Sequence, residues 1–229
     1  PYTNWATAAR SVSVAVNAAA AGETVWVTNG TYDLTATLVI SKAIELRSVN
    51  GAANTTLRRS GTNTYSVMQL GHANAVVNGF TFIDGSASSG NAGGVMVQSG
   101  YLNNSIVRNN SGYGVVLGDE VTARMANCLV VGNAAAIKGA GLVVNCTVVD
   151  NTSPDMAATL VYNTIADGAI SADEIRYSLA PVLYDGPGNR NDDPRLIDKT
   201  TGNYRPLSDS PARDGCRDLY NTLPLEHVQ

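Results

Sequence analysis

Asp84, Arg108, Asp150 and Asp167 each stand one position ahead of a Gly or Asn that closes a short β-branched run. The runs are FTFIDG (80–85), SIVRN (105–109), TVVDN (147–151) and TIADG (164–168). If successive runs stack as neighbouring rungs, the carboxylates of Asp150 and Asp167 come within roughly 5 Å of each other. Such a pair can share a calcium ion or act as a general acid and base. Arg58, Arg59, Arg108, Arg124 and Lys138 are the basic residues of the coils, and Arg108 and Lys138 are the candidates for a lyase base, set against the commoner reading of such residues as a solvated outer face. Asp-Asn and Asp-Gly are also ordinary turn dipeptides, and the turn reading is the one adopted here for the shared slot. The same slot makes Asp150 and Asp167 the weak metal candidates, with calcium as the one cofactor they could hold.

Other chemistry is excluded by inventory. There are two histidines, His72 and His227, and three cysteines, Cys128, Cys146 and Cys216. His-based metal clusters and Ser-His-Asp triads lack the imidazoles they need, and the cysteine spacing fits no zinc pattern. The Gly/Ser-rich stretch GSASSGNAGG (85–94) has no phosphate-loop lysine. A net charge of −4 without a basic patch argues against nucleic acid as partner. No apolar run approaches the roughly 20 residues of a membrane span.

The elements that must position these residues follow from the repeat. The runs align on Gly85, Asn109, Asn133, Asn151 and Gly168. They recur at intervals of roughly 17 to 24 residues, and periods of that order mark a solenoid. Each run is too short for a helix and is followed by turn residues. The predicted fold is therefore all-β, a right-handed single-stranded parallel β-helix. Inward positions need only be apolar, whereas the turn needs Asn or Gly to tolerate a left-handed backbone. Residues 23–180 form the coils, about seven to eight of them, in a rod roughly 35 Å tall. Residues 1–22 form a cap, in which Val12, Ala15, Val16 and Ala19 make one face of a short α-helix. Residues 181–229 form an irregular C-terminal segment packed on the solenoid. Cys128 and Cys146 fall at equivalent inward positions. They are expected to stay reduced, with Cys146→Ser burying a hydroxyl at a cost on the order of 1–3 kcal/mol.

Three stretches carry a family resemblance: PYTNWATAARSVSVAVNAAAAGETVWVTNGTY at the start, NCTVVDN in the coils, and GPGNRNDDPRLIDKTTGNYRPLSDSPARDGC at the end. Together they resemble the choice-of-anchor Q domain proteins of secreted bacterial chains. Members carry a further strand ahead of PYTNWATA; its absence here is what a fragment or processed form would show. The resemblance implies the pectin-lyase-like fold and a secreted or cell-surface location. It implies no particular reaction. That fold hosts polysaccharide lyases, hydrolases and epimerases that work in a groove along the rod, so polysaccharide is the implied partner. Two functions stay open: a non-catalytic glycan-binding, structural or adhesive module, and a lyase or hydrolase of an acidic polysaccharide. Missing signatures favour the first. The coils contain no Asp-Asp pair and no Gly-His-Gly, and Asp192-Asp193 lies in the closing segment. Tyr65, Tyr101, Tyr113, Tyr162 and Tyr177 would stack on sugar rings if they lined one groove.

Overall fold

A computed structural model describes residues 4–88, 90–118 and 122–214. His227, Cys216 and the Asp119-Glu120 loop tip lie outside the described residues. The strands stack as parallel ladders that wind into a β-helix with three faces. Face A is built on Leu38–Ile40, Tyr113–Leu117, Ala135–Lys138, Ser153–Ala157 and Ile170–Ser171. Face B is built on Thr24–Val27, Glu45–Ser48, Ala123–Ala126, Leu142–Val144, Leu160–Tyr162 and Glu174–Arg176. Two long strands, Met68–Asn78 and Ala92–Asn103, run through both faces and join them into one 13-stranded sheet. Face C is a separate seven-stranded sheet from Gly30–Leu34 to Ile165–Ala166.

The coils come in two sizes. On face C, Tyr32, Leu57, Phe82 and Val107 stack in register, one wide coil apart. The Phe80 amide, donating to Ser105 Oγ on the next coil, spans one such turn of 25 residues. From Val107 the column continues to Val130, Val148 and Ala166. There the coils tighten: Asn110 bonds Asn133 across 23 residues, and Asn133 bonds Asn151 across 18 residues. The side chains in this inward column shrink as the coils shorten, from Tyr, Leu and Phe to Val and Ala. A wide coil encloses more space, and a core packed to crystal density needs larger residues to fill it. Phe80, Phe82, Leu57 and Leu102 accordingly lie fully buried in the wide half.

The N-terminal end is closed by the helix Val12–Ala18. Val12, Val16 and Ala19 are buried and Ala15 packs partly against the core, as the sequence periodicity predicts. At the other end Asn189 plugs the last coil. Its Oδ1 accepts from the Ser178 amide and its Nδ2 donates to the Ile175 carbonyl. A short antiparallel pair, Leu196–Asp198 with Asn203–Pro206, follows.

Candidate functional site

The strands set the register and so decide which residues share a slot. Thr81, Ile106, Leu129, Thr147 and Ile165 are mutually in register on face C. Counting forward, Asp84, Asn109, Gly132 and Asp150 occupy one slot, and all four have positive φ, between 55° and 65°. This is the left-handed corner, tolerated by Asp, Asn and Gly. The next slot holds Gly85, Asn110, Asn133 and Asn151. The shared slot expected for Arg108, Asp150 and Asp167 is thus corrected. Asp84 and Asp150 belong to it, while Arg108 and Asp167 sit one position earlier, in the column of Val131 and Val149. The alignment slips because the recurrent Asn is the residue after the left-handed corner, not the corner itself.

That recurrent Asn has a different role. Asn110, Asn133 and Asn151 are buried, at 3%, 0% and 7% exposure, and form an amide ladder. Asn133 Nδ2 donates to the Val107 and Val131 carbonyls and to Asn151 Oδ1. Its Oδ1 accepts from the Asn110 amide and from Asn110 Nδ2. Each side chain thereby satisfies backbone groups that the corner removes from the sheet ladder, groups that would be costly to bury unpaired.

The corner between faces B and C has its own ladder. Asn104, Asn127, Asn145, Asn163 and Tyr177 hold the left-handed position, with φ between 50° and 54°. One residue later, inside, stand Ser105, Cys128, Cys146, Thr164 and Ser178. Ser105, Thr164 and Ser178 each donate to the carbonyl two residues back. Cys128 and Cys146 do the same through Sγ, at 3.2 Å. Both thiols are free and buried. Burial first, and then the neighbouring Cys146, pushes the Cys128 thiol well above its ordinary pKa. The cysteines occupy a hydroxyl slot, which corrects the purely apolar slot expected from the sequence.

The candidate residues fall as follows. The Asp150 amide donates to Asp167 Oδ2 at 2.5 Å, and Asp150 Oδ1 pairs with Lys199 Nζ at 3.1 Å. Asp167 Oδ1 is buried and has no hydrogen-bond partner among the described residues. Tyr204 faces the same corner. Burial, then the Asp150 carboxylate, raises its phenol pKa, while Arg108 acts in the opposite direction. The structure therefore gathers Arg108, Asp150 and Asp167 with Lys199 and Tyr204, two residues that sequence reasoning misses. Nothing in the closing segment signals which coil it will face. Lys138 is elsewhere: it ends its face-A strand, with Nζ 5.8 Å from the centre of the Tyr113 ring.

Chemically, this corner holds a carboxylate already neutralised by an ammonium and a second carboxylate accepting a backbone N–H. The second oxygen of Asp167 stays buried without a hydrogen-bond partner among the described residues, with Arg108 and Tyr204 at the same corner. No group of three or more His, Cys, Asp or Glu side chains that could hold a metal ion occurs among the described residues. The tyrosines are dispersed: Tyr113 lies on face A, Tyr101 and Tyr162 lie on face B in different columns, and Tyr177 takes the left-handed position at a corner.

No family model matches the chain. No curated protein matches it either. Among solved structures, it is similar to a pectin methylesterase in complex with a hexasaccharide, at 15% identity and a TM-score of 0.48. The match covers 82% of this chain and 64% of that one. The fold stands on the parallel ladders themselves.

Proposed function

We propose that this chain is a non-catalytic β-helix module of the choice-of-anchor Q type. It works in a secreted or cell-surface bacterial protein, as a glycan-binding, structural or adhesive element. The observation that carries this reading is the engagement of the candidate carboxylates in the framework. Asp150 holds the left-handed corner and the Lys199 ion pair, and Asp167 caps the Asp150 amide. A lyase or hydrolase needs such groups aimed at substrate, with a second acid or a base within reach. Lys138, stacked on Tyr113 on another face, does not supply it, and Arg108, which does share the corner, is the base left to the lyase alternative. Calcium between Asp150 and Asp167 is disfavoured for the same reason, since Lys199 already neutralises one of the two.

A panel of neutral and acidic polysaccharides tests the reading. Binding by the wild-type chain, with no release of reducing or unsaturated ends, supports it. Turnover of any member overturns it in favour of the lyase or hydrolase alternative.

A further inference from the structure

The dipeptide Asn-Gly occurs at Asn29-Gly30, Asn50-Gly51 and Asn78-Gly79. Each stands at the corner between faces B and C, in the first, second and third coils. A glycine amide has no side chain beside it to shield its nitrogen. Once deprotonated, that nitrogen can attack the Cγ carbonyl of the asparagine before it. The fold treats the three dipeptides differently. Gly30 donates its N–H to the Asn54 carbonyl at 2.9 Å, and Gly79 donates to the Asn103 carbonyl at 3.1 Å. Both bonds run to the next coil and hold the amide proton in place. The second coil departs from this pattern. Gly30 stands in register with Thr55, so Asn54 and not Gly51 precedes the second-coil strand. Residues 49–54 thus make a longer corner, and Gly51 lies inside it with a φ of 80°. Its carbonyl accepts from the Asn54 amide and from Ser48 Oγ, but its N–H meets no acceptor among the described residues. Asn50 is exposed, and its Nδ2 donates to Asn29 Oδ1 at 2.8 Å in a bond that itself lies at the surface.

We propose that Asn50 is a self-modification site, at which the folded chain converts a side-chain amide to a carboxylate without an enzyme. The Gly51 nitrogen gives up its proton and attacks Asn50 Cγ. A C–N bond forms, the Cγ–Nδ2 bond breaks, and the nitrogen leaves as ammonia. Water then opens the cyclic imide. Opening at Cγ gives aspartate, and opening at the Asn50 backbone carbonyl gives isoaspartate, with the main chain rerouted through the side chain. Water is the one reactant consumed. At Asn29 and Asn78 the same first step must break a coil-to-coil hydrogen bond to free the attacking amide, so the fold protects them. At Asn50 it need only break an exposed amide pair. The product carries one more negative charge. Asn29 Oδ1 loses its donor, and the Asn29 amide has to turn and donate to the new carboxylate if the two coils are to stay linked there.

Peptide mapping gives the test, because trypsin releases Asn29 in peptide 11–42, Asn50 in peptide 48–58 and Asn78 in peptide 60–108. The folded wild-type chain is aged in mildly alkaline buffer, which favours the deprotonated amide. Acid forms are then quantified by mass, and fragmentation assigns the acid within each peptide. Asn50 is expected to convert several-fold faster than Asn29 or Asn78, with isoaspartate found by methyltransferase labelling. A more acidic band should grow on isoelectric focusing in step with it. In urea the Gly30 and Gly79 amides are released, and the three rates should converge. Asn50→Gln should remove the early acidic band, since its longer side chain closes a ring far more slowly. Conversion at Asn29 or Asn78 as fast as at Asn50 in the folded chain overturns the proposal. So does an acid in peptide 48–58 that maps to Asn54, or an Asn50 that stays intact in the folded chain while it converts in urea.

Discussion

The wide coils, up to Val107 on face C, and the narrow coils after Val130 solve one problem in two ways. A wide coil is held from within, by Phe80, Phe82, Leu57 and Leu102. A narrow coil carries only Val or Ala in the face-C column, with Met125, Ile137 and Met156 filling it from the other faces. It is held at its corners, where Asn133 and Asn151 occupy one ladder and Cys128, Cys146 and Thr164 the other. The difference teaches that shortening a coil moves the weight of stabilisation from apolar volume to backbone satisfaction. It also explains why the recurrent Asn is strongest where the period is shortest.

The largest expected effect breaks the wide half. Phe82→Ala removes a fully buried ring and should destabilise the chain by about 3–5 kcal/mol. The corresponding truncation in the narrow half, Val148→Ala, should cost roughly 2 kcal/mol, since two methyl groups are lost. Denaturant titration of both variants checks the ratio. Equal costs would mean that the taper of the core has no energetic meaning.

Asn133→Ala tests the narrow half's device. It leaves the Asn110 amide without its acceptor and the Val107 and Val131 carbonyls without a donor, and about 3 kcal/mol should be lost. The exposed corner variant Asn145→Ala should cost only about 1–2 kcal/mol, the strain of a left-handed alanine. Comparable losses at the two positions would show that the buried ladder adds nothing beyond turn geometry.

A smaller effect is expected at the cysteines. The structure revises the cost of Cys146→Ser downward, to less than about 1 kcal/mol, because the serine hydroxyl inherits the Val144 carbonyl as acceptor, as Ser105 uses that of Asn103. Thermal melting decides it: a loss several times larger would mean that this slot is apolar after all.

The smallest effect appears only in alkali. The Tyr204 phenol is held above its ordinary pKa by burial and by Asp150, so the folded chain keeps a proton that the unfolded chain releases. This contribution is complete below about pH 10 and is lost as the pH rises through the higher folded value. Tyr204→Phe should flatten the alkaline limb of a stability–pH curve and remove the small contribution from the neutral region. A steeper alkaline limb in that variant would contradict the assignment.

Much of the fold is legible in the sequence because inward residues, corner residues and the cap helix each obey a strong local rule. FTFIDG, LVVGN and TVVDN alternate as strands must, and Val12, Ala15, Val16 and Ala19 fall on one helical face. The site is less legible, for two physical reasons. Asn and Asp are equally good at a left-handed corner and beside it, so the alignment can slip by one residue and place Arg108 and Asp167 wrongly. Lys199 and Tyr204 reach Asp150 through tertiary packing of the closing segment, 49 residues further along the chain in the case of Lys199, and no local pattern encodes that docking. Cys128 and Cys146 read as core fillers because only the neighbouring Ser105, Thr164 and Ser178 reveal the slot as one for hydrogen-bonding side chains.

The most direct test of the central claim, that the recurrent Asn and Asp residues build corners and perform no chemistry, is the Asp150→Asn variant assayed beside wild type on acidic polysaccharides. Asparagine tolerates the φ of 55° and keeps the corner, losing only the partly exposed ion pair to Lys199. The predicted result is no product from either chain, with stability changed by no more than about 1 kcal/mol. Turnover by wild type that disappears in Asp150→Asn, at an unchanged melting temperature, would contradict it.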